Sequence, residues 1–232
     1  MDPVSARTLR ATALALAAWA ALLPRGAHAN VSVRGTVSLP PVRAERPATF
    51  WPRVENGVLP IAPPLVSPMS EVVVVLEGPT TVASWSGSIA MEILGADFVP
   101  RVLPVLVGTL VEFKNADRSP YNVFSPENGS FFSREEVAPG RSRKIKFLAP
   151  GTYAVRTDEF PHMEGTVLVL QTNLYARPDE RGGFKIESVP EGRYSLKVFY
   201  KSGFVHQQTI DVGKSPLEVR VTVPSRAARR SE

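Results

Sequence analysis

The sequence predicts an all-β protein with two structural units. Three observations carry that expectation. Short runs rich in Val, Ile, Phe and Tyr recur at strand-like spacing along most of the chain. Gly and Pro contribute 16 and 22 residues, scattered without a repeat, as many turns between short strands require. No stretch beyond the N-terminal segment reads as a helix of useful length. With 232 residues, 44% hydrophobic and 21% charged, the chain can bury one or two cores.

Residues 1–29 have the form of an export signal. Arg7 and Arg10 precede an apolar stretch from Ala11 to Leu23, and Ala27-His28-Ala29 is a small-x-small cleavage triplet. The stretch falls short of the roughly 18 to 20 apolar residues that span a bilayer. The expected mature protein is therefore periplasmic or secreted and does not span the membrane. Cysteine is absent, which excludes disulfides and thiolate metal ligands. The net charge of +5 drops by two without the leader, because Arg7, Arg10 and Arg25 outnumber Asp2. The remaining basic clusters are Arg141–Lys146 and Arg226–Arg230. The first alternates with Ile145 and Phe147 and reads as a solvated strand face, so no nucleic-acid partner is expected.

The elements follow in order. Asn30–Leu39 is a strand ended by Pro40-Pro41. Residues 40–68 form a Pro-rich arm without a period, whose Phe50 and Trp51 either pin it to the body or serve as an exposed platform. Glu71–Leu76, EVVVVL, is a continuous apolar run, expected of a strand buried on both faces or at a sheet centre. Strands follow at Ser88–Leu94, Val102–Val107, Thr109–Phe113, Tyr121–Ser125, Arg141–Phe147, Gly151–Arg156 and Thr166–Leu170. Ser133–Val137 is the one place where a single helical turn is expected. Later strands are read after the turns at Asp179 and Pro190, and at Thr209–Val212 and Leu217–Val223. Residues 225–232 are expected to form a basic disordered tail.

Phe98-Val-Pro100, the run from Val107-Gly108 through Val111, Phe113 and Asn115 to Asp117, Asn122-Val123, Gly151-Thr-Tyr153, and Asp158, Pro161, Met163 and Gly165 form an ordered frame. In this frame residues 86–171 resemble the cupredoxin-like family, specifically its small exported, methylamine-utilisation-type members. The resemblance implies a Greek-key β-sandwich or barrel. It also implies ligand positions, and three of four are changed: Tyr121 and Phe160 stand where the family has His, Thr157 where it has Cys, and only Met163 matches. Blue-copper chemistry needs two imidazoles and a thiolate with a weak axial thioether. The expectation is thus no copper and no other cofactor, with aromatic bulk from Tyr121 and Phe160 filling the former pocket. The alternative is a different copper site from His162, Met163 and Asp158.

A second resemblance is to carboxypeptidase regulatory-like, or transthyretin-like, β-sandwich modules. It rests on Gly35-Thr-Val37, the Glu71–Leu76 strand, and Asp179, Phe184-Lys-Ile186, Val189-Pro190, Gly192, Tyr194, Leu196 and Val198. The order is split around the central unit. One arrangement joins the strands of residues 30–85 to residues 172–224, with residues 86–171 inserted at an exposed turn. The other assigns the N-terminal strands to the cupredoxin-like unit and leaves residues 172–224 as a separate sandwich.

No paired acid and base is visible. Glu135 and Glu136 are adjacent and diverge on either a strand or a helical turn, and neither Ser125 nor Ser133 has a His in its motif. The expected function is that of an exported, non-catalytic cupredoxin-like protein without type 1 copper, acting as a binding or structural module on an envelope protein or surface component. The alternatives are a divergent copper-binding or electron-transfer protein using His162 and Met163, and an enzyme whose site leaves no motif.

Overall fold

The computed structural model describes residues 31–40, 67–78, 84–126 and 132–224. The leader, nearly all of the Pro-rich arm with Phe50 and Trp51, and the basic tail lie outside the described residues. Within them the chain is all-β. Its strands are β1 (Val31–Ser38), β2 (Val72–Glu77), β3 (Ser88–Ile93), β4 (Phe98–Val99), β5 (Val102–Leu106), β6 (Leu110–Asn115), β7 (Tyr121–Phe124) and β8 (Glu135–Val137). They continue with β9 (Ser142–Lys146), β10 (Gly151–Thr157), β11 (Glu164–Leu170), β12 (Tyr175–Ala176), β13 (Gly183–Val189), β14 (Gly192–Tyr200), β15 (Gly203–Val212) and β16 (Leu217–Thr222). A 3-10 turn at Pro68–Glu71 precedes β2. Among the described residues no helix is long and apolar enough to cross a membrane.

Four sheets form, with orders β13-β1-β16, β12-β2-β14-β15, β5-β11-β10-β7-β8 and β4-β3-β6-β9. The first two share a core of Val33, Val37, Val72, Val74, Leu76, Leu196 and Val198. The last two share Met91, Phe113, Val123, Phe147, Val155, Met163 and Val167. Thus β1 pairs with β13 and β16, and β2 with β12 and β14; both N-terminal strands take their partners from the C-terminal part of the chain.

A third cluster shows why two strands carry unbroken apolar runs, Val72–Leu76 in β2 and Val167–Leu170 in β11. Val73 and Val75 of β2 and Phe199 of β14 meet Val102, Leu168 and Leu170 of β5 and β11. Successive side chains of a strand point to opposite faces. On β2, Val72, Val74 and Leu76 therefore enter one core while Val73 and Val75 face the neighbouring sheet. On β11, Val167 and Val169 enter the second core while Leu168 and Leu170 face back. The run EVVVVL is continuous because its strand is buried on both faces. Polar ties edge this layer: Arg101 Nε donates to Asp97 at 2.8 Å, its Nη1 reaches Glu71 at 3.5 Å, and Thr166 Oγ1 donates to the Lys201 carbonyl at 3.2 Å.

Two glycines permit close approach rather than a turn. A Cβ on Gly35 of β1 would lie 2.1 Å from the Val219 carbonyl oxygen and 2.8 Å from the Phe184 ring, and one on Gly165 of β11 would lie 3.1 Å from the Phe98 ring. Both positions belong to the sequence frames described above.

Three expectations are corrected. Ser133–Val137 contains no helical turn, because β8 pairs with β7 (Val123↔Glu135, Tyr121↔Val137) and sends Val137 into the core. The segment Arg141–Phe147 is not a purely solvated basic face. Its inward positions are Arg143, Ile145 and Phe147, and the buried Arg143 donates to the carbonyls of Val123 (2.8 Å) and Ser133 (2.6 Å) and lies over the Phe132 ring. Finally, β15 begins at Gly203 rather than Thr209, because it forms a long hairpin with β14.

Candidate functional site

Tyr121, Thr157, Phe160 and Met163, the positions singled out in the sequence, lie at one corner made by three neighbouring strands of the five-stranded sheet. β10 pairs with β11 on one side and, through Thr157↔Val123 and Arg156↔Phe124, with β7 on the other. Residues 158–163 join β10 to β11. Pro161 presets the φ of a tight turn, closed when the Met163 N–H donates to the Phe160 carbonyl at 3.0 Å. The turn returns Met163 to the core directly beside the end of β10.

Met163 is 0% exposed, and the Thr157 hydroxyl, itself buried, lies 3.5 Å from its sulfur. A thioether is a weak acceptor, and a long contact of this kind positions the hydroxyl more than it binds it. Tyr121 is buried at the start of β7, with its hydroxyl donating to Asp117 Oδ2 at 2.9 Å. Burial, followed by the hydrogen bond and charge of Asp117 and the charge of Glu159, pushes the Tyr121 phenol up to about 12. Burial opposes ionisation of Asp117, but the N–H groups of Ala96 and Gly95, at 2.9 and 2.8 Å, and the Tyr121 hydroxyl outweigh it and hold the carboxyl below its usual range. Asn115 supports the same loop, accepting from the Asp117 N–H and donating to the carbonyls of Ser119 and Val137.

Phe160 departs from expectation. It is 39% exposed, so it does not fill the pocket. Its ring sits at the rim, 6.3 Å from the Tyr121 ring and 5.4 Å from the His162 ring. The reason is the turn itself: with Pro161 at its corner, residues 160–162 project outward while Met163 points in. The buried side chains at this corner are Met163, Thr157 and Tyr121.

The alternative ligands are not gathered either. His162 is exposed beside Phe160, Asp158 is ion-paired with Arg134 at 2.6 Å, and Met163 faces the core. Among the described residues no group of three or more His, Asp or Glu side chains could hold a metal ion. Two participants escaped the sequence reading. Glu159 accepts from the backbone and side-chain nitrogens of Asn122 at 3.0 and 2.9 Å, and Arg134 lies 4.6 Å over the Phe124 ring. The only sequence signal for them is their position beside the frame.

No family model matches this chain, and no curated protein matches it. Among solved structures, it is similar to a reduced amicyanin variant at 21% identity, covering 42% of this chain and 98% of that one with a TM-score of 0.35. An oxidized amicyanin variant gives 22% identity, the same coverages and a TM-score of 0.35. A copper-containing nitrite reductase (NirK) from Thermus scotoductus SA-01 gives 25% identity, 37% of this chain, 23% of that chain and a TM-score of 0.34.

Proposed function

We propose that this chain is an exported, non-catalytic, cupredoxin-like β protein in which the type 1 copper position has become a packed corner. On this reading a carboxypeptidase regulatory-like sandwich carries the cupredoxin-like unit, and the whole serves as a binding or structural module in the periplasm or at the cell envelope. The observation that supports it most is Met163, fully buried with its sulfur facing the Thr157 hydroxyl.

The donor set does not fit the metal. A trigonal copper site needs a thiolate and two imidazoles, and the corresponding positions here carry a hydroxyl (Thr157), a phenol (Tyr121) bonded to Asp117, and a phenyl ring (Phe160). A single thioether supplies neither the charge nor the coordination number to retain copper. No electron-transfer step is assigned to this corner.

The test is metal retention. The mature protein is loaded with Cu(II) or Cu(I), desalted, and assayed by elemental analysis; the expected copper content is far below one equivalent. Stoichiometric copper that disappears in His162→Ala would replace this reading with that of a divergent copper protein.

A further inference from the structure

A groove of about 740 Å³ lies on the outer face of the three-stranded sheet, away from the Met163 corner. Its lining includes Arg34 and Thr36 of β1, Lys185 of β13, Glu218 of β16, and Arg177 and Asp179 from the connection between β12 and β13. The strand periods place the charges. Val33 and Val37 are buried and turn Arg34 outward, while Phe184 and Ile186 are buried and turn Lys185 outward.

Arg34 and Lys185 are direct partners in the antiparallel register. Like charges in that relation destabilise a sheet. Lys185 is partly neutralised by an ion pair with Glu187 on its own strand. Arg34 is in parallel register with Glu218, yet among the described residues it forms no direct ion pair with a carboxylate and feels the charge of Glu187 only at longer range. Arg177 donates to the Val102 carbonyl and likewise has no carboxylate partner there. Although solvent reaches it, surrounding protein desolvates its guanidinium and pushes its pKa down, against a smaller opposing pull from Tyr175. Asp179 turns Oδ1 to the N–H groups of Arg181 and Gly183, at 2.9 and 2.8 Å. Two guanidinium forks and one ammonium thus border one concavity of small-molecule size, with Asp179 and Glu218 also in its lining and Glu187 beside Lys185; Arg34 and Arg177 are the two cations there that no carboxylate pairs directly among the described residues.

We propose that this groove binds a small polyanion, with Arg34, Arg177 and Lys185 taking its phosphate or carboxylate groups. Guanidinium forks match the two oxygens of either group. Glu218 borders the site and limits how far negative charge can extend along β16. This site is independent of whether the Met163 corner holds metal.

The test uses the full mature chain, titrated calorimetrically with inorganic pyrophosphate and, separately, with citrate, at a fixed ionic strength of about 0.15 M so that general screening is constant. Saturable one-to-one binding of at least one probe is expected. Arg34→Gln and Arg177→Gln should each weaken it by about tenfold, the loss of a charge-assisted contact, while Lys144→Gln/Lys146→Gln on the other sandwich should leave it unchanged. Binding of pyrophosphate alone assigns a phosphate-bearing ligand, and binding of citrate alone a carboxylate-bearing one. No saturable heat with either probe, or equal weakening in the Lys144/Lys146 variant, overturns the proposal. If Arg177→Gln does not fold, Arg34→Gln decides, since its removal relieves a like-charge pair and leaves the fold intact.

Discussion

Substitution of Met163 separates a packed corner from a ligand position. Its side chain is fully buried and its sulfur lies 3.5 Å from the Thr157 hydroxyl. Met163→Ala should cost about 2–5 kcal/mol, the transfer and cavity cost of truncating a core methionine. Met163→Leu preserves volume, and such swaps cost under about 1.5 kcal/mol. It also strands the Thr157 hydroxyl, but the lost contact is long and to a soft acceptor, so about 1 kcal/mol more is expected, the low end for an unsatisfied buried group. Thr157→Val removes that hydroxyl, so Thr157→Val/Met163→Leu should be less destabilised than the two single changes together. Urea unfolding followed by Trp fluorescence, with and without copper, measures all four. A Met163→Leu loss as large as that of Met163→Ala would refute the packing argument. So would a copper-induced rise in the wild-type midpoint that Met163→Leu abolishes.

Three further outcomes are expected. Phe199→Ala, in the layer between the two sandwiches, should cost about 3–5 kcal/mol and split calorimetric unfolding into two transitions; one undivided transition would count against that layer as the coupling element. The Tyr121 phenol, raised to about 12 in the folded state against roughly 10 unfolded, contributes stability that is full below about pH 10. That contribution disappears as pH rises towards 12, by an amount on the order of 2 kcal/mol, so the alkaline decline should be shallower in Tyr121→Phe. Finally, Tyr121→His/Thr157→Cys/Phe160→His introduces two imidazoles and a thiolate beside Met163, and on the proposed reading it should show with Cu(II) an intense absorption near about 600 nm; a folded, copper-loaded variant without that band would mean the positions are misaligned.

The strands were legible wherever side-chain period and turn residues agreed, as in Ser88–Ile93, Leu110–Asn115 and Leu217–Thr222. The misses have physical causes. Glu135-Glu136-Val137 carries only one apolar residue, and its strand character comes from the partner β7 rather than from its own composition. Arg143 reads as solvated because alternation alone cannot tell which face of a strand carries the core. The carbonyls of Val123 and Ser133 and the ring of Phe132 that make its burial tolerable come from distant sequence. Phe160 misleads for the opposite reason: its aromatic character suggested core, but Pro161 sets a turn that leaves it at the rim.

The pairing of β2 with β12 explains how the chain can leave one pair of sheets after Glu77, build the other pair from β3 to β11, and return at Tyr175. Val74 and Val75 lie opposite Ala176 and Tyr175, so the strand from which the chain departs and the strand by which it comes back are hydrogen-bonded neighbours. The ends of the intervening segment are therefore held together by backbone bonds of the first sandwich. The entropy of closing so long a loop grows only with the logarithm of its length. The faces complete the argument: Val73 and Val75 of the exit strand rest against Leu168 and Leu170 of the last strand before re-entry. An apolar run that has no exposed face is thus the sequence trace of a strand serving two packing layers at once.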